Sequence, residues 1–189
     1  MGQISVERCE IEGLAVVTPQ VFGDARGYFL ETYHAAQFAE EGMDVTFVQD
    51  NESASVKGVL RGLHFQKSFP QTKLVRVLTG EVFDVAVDLR EGSPTFGKWH
   101  GEVLSGENRK QFYIPKGFAH GFYVLSDRAV FSYKCSDFYH PEDESGLAYN
   151  DPQIGIRWPF AEGEEPKLSE KDRHWDGLAA YCAARGIRL

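Results

Sequence analysis

The sequence predicts a mainly β protein, a sandwich or barrel with a few short helices and a helix near the C-terminus. Three observations carry this. Short runs rich in Val, Phe and Tyr recur at near-regular spacing, bounded by Gly, Pro, Ser, Asp and Asn, the punctuation of antiparallel strands. Aromatic residues reach 13%, with 14 Phe and 8 Tyr, and rings favour pleated, half-buried surfaces. A chain of 189 residues with no linker, repeat or low-complexity tract fits a single domain over residues 1–189 with one substantial core.

The elements follow in order. Residues 11–19 read as a first strand and residues 28–32 as another, separated by a turn at Gly23-Asp24-Ala25-Arg26-Gly27. Residues 34–41 read as a short helix, with Thr32 as its cap and Gly42 as its stop. Strands are then expected over residues 45–51, 58–65, 73–79, 82–88, 99–104, 111–114, 121–125 and 129–137. Thr79-Gly80-Glu81 and Ser126-Asp127-Arg128 read as tight connections between antiparallel neighbours. Residues 170–185 have a helical pattern whose inner stripe is Trp175, Leu178, Tyr181 and Cys182.

Composition narrows the function. Hydrophobic residues at 42% and charged residues at 25% are ordinary for a globular protein and exclude wholesale disorder. A formal net charge of -8 argues against a nucleic-acid partner, although local Arg and Lys can still meet a small anion. Cys9, Cys135 and Cys182 are odd in number and far apart, which suits neither a disulfide framework nor a zinc site. With no apolar leader core and no segment long enough to span a bilayer, the expectation is a cytoplasmic protein with no membrane partner.

The chemistry concentrates in Gly58-Val-Leu-Arg-Gly-Leu-His64-Phe65-Gln66. His trades protons near neutral pH, and Arg grips anions through a rigid fork, so the pair suggests an acidic ligand handled by proton transfer. Strict alternation puts Leu60, Gly62, His64 and Gln66 on one face, and Val59, Arg61, Leu63 and Phe65 on the other. One ligand would then reach both Arg61 and His64 only across a twist or a sheet edge. Lys73 shares a face with Val75 and Val77, and Tyr133 with Phe131 and Cys135, so both point inward. Each also has a plain structural reading: a hydrogen-bonded core histidine, a strand-end lysine, a packed ring.

Gly58…His64…Gly80 together with Pro115-Lys-Gly-Phe-Ala-His120-Gly121 resembles the two motifs of the cupin superfamily, which implies a jelly-roll barrel. Metal cupins place His-x-His and a later Glu in the first motif and a His in the second. Here those positions hold His64, Gln66, Lys73 and His120. A protonated Lys has no lone pair to give and Gln is a poor ligand, so no metal is expected, and the ammonium of Lys73 replaces it as the fixed cation.

Longer segments resemble the dTDP-4-dehydrorhamnose 3,5-epimerase family along most of the chain. They are Asp24-Ala-Arg-Gly-Tyr-Phe-Leu-Glu31, Gln49-Asp-Asn51, Val59-Leu-Arg-Gly-Leu-His-Phe65 and Phe83-Asp-Val-Ala-Val-Asp-Leu-Arg-Glu-Gly-Ser-Pro-Thr-Phe-Gly97. Downstream come Pro115-Lys-Gly-Phe-Ala-His-Gly-Phe122, Tyr139-His-Pro-Glu-Asp-Glu-Ser-Gly146, Asn150-Asp-Pro152 and Leu168-Ser-Glu-Lys-Asp172. The resemblance implies a homodimeric isomerase acting on a dTDP-4-dehydro-6-deoxyhexose, with no cofactor. It makes His64 the base, Asp172 its orienting acid, Lys73 the enolate-stabilising cation and Tyr133 the proton donor. It carries over Arg26, Glu31, Gln49, Asn51, Arg61, Lys73, His120, Tyr139, Glu144 and Lys171 as substrate-binding residues. Ser169-x-x-Asp172 independently reads as a capping box. The same framework suits a single-centre epimerase or ketoisomerase of another dTDP-4-ketosugar. A metal-dependent cupin oxygenase and a non-catalytic nucleotide-sugar binder are readings from other classes.

Overall fold

The computed structural model describes residues 3–188 as two antiparallel sheets packed face to face, a jelly roll. Strands are numbered in chain order. The six-stranded sheet runs β1 (Ile4–Arg8), β2 (Ala15–Pro19), β10 (Gln111–Ile114), β7 (Lys73–Thr79), β12 (Arg128–Cys135) and β5 (Gln49–Val56). The five-stranded sheet runs β13 (Glu144–Gly146), β6 (Leu60–Gln66), β11 (Phe118–Val124), β8 (Glu81–Asp88) and β9 (Trp99–Ser105). β3 (Val21–Asp24) and β4 (Gly27–Leu30) pair only with each other, and α1 (Ala35–Glu40) and α2 (Leu178–Arg185) complete the chain.

The period of two in the sequence sorts side chains between layers. On β7, Val75 and Val77 point inward, meeting Val82 and Ala86 of β8, Phe122 and Val124 of β11 and Phe131 of β12. Leu74 points outward, beneath Phe38 of α1 and Met43. On β8 the alternate residues Val85 and Val87 face the other way, where Leu178 and Cys182 of α2 cover them. Each such aliphatic burial stabilises the fold by about 1.5–3 kcal/mol, so both helices act as covers over the outer faces of the sandwich.

Several elements differ from expectation. Thr79-Gly80-Glu81 and Ser126-Asp127-Arg128 do not join paired neighbours: β7 and β12 belong to one sheet, β8 and β11 to the other. Both connections cross between sheets and pack on each other. Ser126 Oγ accepts from Glu81 N at 2.8 Å and donates to the Arg128 carbonyl at 2.7 Å. Gly80 has φ +83°, and a Cβ there would fall 2.0 Å from that same carbonyl oxygen. Thr32 does not cap α1; His34 occupies the cap position without a side-chain bond, while Gly42 ends the helix at φ +74°. β5 lies later than the expected strand because Gln49–Val56 pairs along its full length with β12. β1, β3 and β13 were not anticipated; β13, only three residues long, is held by β6 rather than by its own pattern.

The expected helix over residues 170–185 is two elements. A 3-10 turn, Lys171–Arg173, is followed by α2, which begins at Leu178, whose N–H bonds Asp151 Oδ2 at 2.9 Å. Ser169 Oγ accepts from Asp172 N at 3.1 Å, so the serine half of the capping box forms. The acidic half returns no bond to the Ser169 backbone N–H. It points into the sandwich.

Candidate active site

Strand register converts sequence position into a wall of functional groups. On the six-stranded sheet Gln49, Cys135 and Lys73 stand side by side on β5, β12 and β7. Asn51, Tyr133 and Val75 form the adjoining row. On the facing sheet His64 of β6 stands opposite His120 of β11. All of these but the core residue Val75 line one cavity of about 460 Å³ between the sheets, which Arg61, Tyr139, Glu144, Lys171 and Asp172 also border.

Arg61 and His64 share this cavity, contrary to simple alternation. On β11, His120 and Phe122 are two residues apart, but their partners on β6, His64 and Arg61, are three apart. The extra residue is a β-bulge, which turns the strand by half a pleat. Leu63 and Phe65 consequently face outward among Val85, Leu147 and Tyr181, while Arg61, His64 and Gln66 face the cavity. Gly62 makes the bulge possible: its φ is +126°, and a Cβ would lie 2.6 Å from Gly121 Cα.

His64 Nε2 is 2.5 Å from Asp172 Oδ1, and Trp175 Nε1 donates to the same oxygen at 3.2 Å. Burial opposes the charge on Asp172, but the bonds from His64, Ser169 and Trp175 outweigh it and hold the carboxyl below its ordinary range. With Nε2–H donated to Asp172, Nδ1 keeps a lone pair. Nδ1 lies 4.0 Å from Glu144 Oε1. Burial likewise opposes charge on Glu144, yet Lys171 at 2.8 Å, Tyr139 Oη at 2.8 Å and nearby His64 keep it ionised.

Across the cavity, burial pushes the Tyr133 phenol above its usual range, which keeps it a proton donor. Burial pulls the Lys73 ammonium down, while Cys135, Asp84 and Glu144 pull it back. His120 is tied from behind by Asp84, with Nε2 3.0 and 2.9 Å from the two carboxylate oxygens. At the cupin metal positions stand His64, Gln66, Lys73 and His120; among the described residues no three His, Cys, Asp or Glu side chains converge for a metal. Gln66 donates instead to the carbonyls of Phe69 and Phe138, tying together two loops at this end of the sandwich.

A family model described as dTDP-4-dehydrorhamnose 3,5-epimerase matches residues 8–180. A protein of that name from Methanothermobacter thermautotrophicus is 54% identical over 178 residues, covering 94% of this chain and 96% of its own length. The chain belongs to the dTDP-4-dehydrorhamnose 3,5-epimerase family. Another epimerase of that name, from Pseudomonas aeruginosa, is 55% identical over 173 residues, 91% of this chain and 94% of its own. The crystal structure of dTDP-6-deoxy-D-glucose-3,5-epimerase from Legionella pneumophila, in complex with dTDP-4-keto-L-rhamnose, matches at TM-score 0.93 and 53% identity over 99% of both chains.

Of the residues that the epimerase family implies, the cavity gathers His64, Lys73, Tyr133 and Asp172, and with them Gln49, Asn51, Arg61, His120, Tyr139, Glu144 and Lys171. Arg26 and Glu31 are not among its lining. Arg26 sits at the tip of the β3–β4 hairpin, bonded to Asp24 at 2.6 Å, with its side chain 90% exposed. Glu31 follows the hairpin, and its Oε1 is buried without a hydrogen-bond partner. Sequence reasoning missed Asp84. Its signal was visible: an acid within the apolar strand Val82-Phe-Asp-Val-Ala-Val87, at an inward position.

Proposed function

We propose that the chain is a dTDP-4-dehydrorhamnose 3,5-epimerase, inverting C3 and C5 of dTDP-4-dehydro-6-deoxy-D-glucose in dTDP-L-rhamnose biosynthesis. One observation carries this reading: a base and an acid from opposite sheets, His64 of β6 and Tyr133 of β12, face one cavity. Inversion needs two faces, because a single base on one face would only exchange the proton. His64 Nδ1 removes the proton from a carbon next to the C4 ketone, and the electron pair moves to the ketone oxygen. The Lys73 ammonium stabilises that developing charge, a contribution of about 3–4 kcal/mol for one well-placed donor. Tyr133 returns a proton on the other face. Exchange with solvent then resets both groups, and no cofactor enters the balance.

Arg61 and Lys171 suit the diphosphate, and Gln49 and Asn51 can read the polar edge of a base or its deoxysugar. His120, Glu144 and Tyr139 complete the proposed binding set. Arg26 and Glu31 fit a homodimer, in which the hairpin of one copy meets the other. Its Phe22, Tyr28 and Phe29 are 45%, 57% and 67% exposed, a patch that a second copy would cover. The three free thiols suit the cytoplasm as its compartment.

NMR of the reaction in heavy water tests the function. Deuterium at both C3 and C5 with inversion at both is the expected outcome. Label and inversion at one carbon alone would make this a single-centre epimerase, and no label would make it a binder.

A further inference from the structure

Asp84 is a fully buried carboxylate, bonded to the cavity residue His120, that the reaction above leaves unused. It has no exposed surface, and an isolated charge there costs several kcal/mol unless it is paired. Strand register supplies the first partner. Asp84 stands opposite Phe122 and Ala86 stands opposite His120, so Asp84 and His120 are diagonal neighbours on the inward face of β8 and β11. The second partner, Lys73, enters from the facing sheet. Among the described residues its ammonium makes no hydrogen bond or ion pair within the chain.

We propose that Asp84 is a positioning residue: its carboxylate anchors His120 across the β8–β11 pair and supplies, from behind the cavity wall, the counter-charge that keeps Lys73 an ammonium. The proposal rests on Lys73 as the enolate-stabilising group. A neutral amine could not fill that role, and burial favours the neutral amine.

The titratable groups that act on Lys73 are Cys135 of β12, Asp84 of β8 and Glu144 of β13, with His120 of β11 alongside. Glu144 already accepts from Lys171 and Tyr139, so much of its charge is answered elsewhere. Asp84 differs. Burial holds the His120 imidazole below its usual range, so the imidazole is neutral and donates Nε2–H without cancelling the carboxylate. Burial also pushes the Asp84 carboxyl up, and His120 and Lys73 pull it back. A neutral imidazole, a carboxylate and an ammonium together leave the buried group with no net charge.

Asp84→Asn keeps the shape and an acceptor for His120 but removes the charge. The expected result is a kcat lower by roughly 10–100-fold with KM nearly unchanged, and a basic limb of the kcat profile moved to lower pH. Circular dichroism and the thermal midpoint report whether the variant is folded. A folded variant with wild-type kcat and an unmoved basic limb would overturn the proposal. A measurement on the wild type covers failure to fold: nitrogen NMR should find His120 as the neutral Nε2–H tautomer from about pH 6 to 9. An imidazolium at neutral pH would sink the idea, since it would cancel the carboxylate. Solvent exchange by the wild type separates the two levels. Without exchange the epimerase reading fails and takes this one with it; with exchange and an Asp84→Asn variant that behaves like wild type, only the role of Asp84 fails.

Discussion

His64 and Asp172, 108 residues apart in the chain, meet with Nε2 2.5 Å from Oδ1. The contact joins a central segment of β6 to a 3-10 turn whose backbone Ser169 caps and whose carboxylate Trp175 also holds. A carboxylate fixed this way orients the ring and balances the charge the ring gains when it takes a proton. It also leaves Nδ1 as the nitrogen available to serve as the proposed base.

Asp172→Asn should therefore lower kcat by roughly 10²–10⁴-fold, with a smaller effect on KM, because the ring would lose its orientation and its counter-charge together. Steady-state kinetics with a heavy-water exchange assay checks this. A kcat within threefold of wild type would remove Asp172 from the mechanism.

Tyr133→Phe should uncouple the two halves of the reaction. Burial keeps the native phenol protonated, so its loss deletes a donor while leaving His64 and Asp172 in place. Deuterium should still wash into the sugar with retention, while inverted product falls by roughly 10²–10⁴-fold. Inversion at the native rate would show that another group delivers the proton.

Asp88 should contribute stability that acid removes. Although burial opposes its charge, bonds from Arg90 at 2.7 Å and from Ser93 and Thr95, each at 2.6 Å, bring its pKa down to about 2. A depressed carboxyl stabilises the fold fully above its unfolded value near 4 and loses that contribution as pH falls toward about 2, a change of about 2 kcal/mol. Denaturant titrations of Asp88→Asn across this range should show a flatter pH dependence than wild type; parallel curves would contradict the assignment.

The hairpin makes an assembly prediction. Phe29→Asp places a charge in the exposed apolar patch of β3–β4 and should convert a dimer to a monomer by light scattering, with the thermal midpoint little changed. A monomeric wild type would overturn the dimer, and a variant that stays dimeric would place the interface elsewhere.

Gly62→Ala should be among the most damaging small substitutions. The added methyl meets Gly121 Cα at 2.6 Å and the His120 carbonyl oxygen at 2.8 Å, in a backbone conformation that L residues rarely adopt. A loss of roughly 2–4 kcal/mol is expected from denaturant unfolding. A variant as stable as wild type would mean that the strand reaches its bulge by another route.

Legibility in the sequence followed how local the determining physics is. β7 and β10 match their expected bounds, and the inward faces of Lys73 and Tyr133 were readable, because unbroken strands obey a period of two. The crossings at Gly80 and Ser126 read as hairpins because a short loop rich in turn residues looks the same whether it joins neighbours or spans two sheets. The face of Arg61 was hidden for a related reason: a bulge is defined by pairing with β11, and one strand's pattern does not contain it. Asp84 stood in plain view as an acid in an apolar strand, but its partner lies 36 residues away. Arg26 and Glu31 carried a family signal that a single chain does not bring to the cavity.

The bulge at Gly62 also changes what kind of information this strand stores. Straightening the strand with its residue count unchanged would leave Arg61 and His64 in the protein, chemically intact, yet three steps of plain alternation would send one of them to the outer face. Most substitutions there adjust the strand by degrees; one that irons out the bulge would part the two cavity-facing side chains at a stroke. What this strand presents to the cavity is written in its backbone path as much as in its residues.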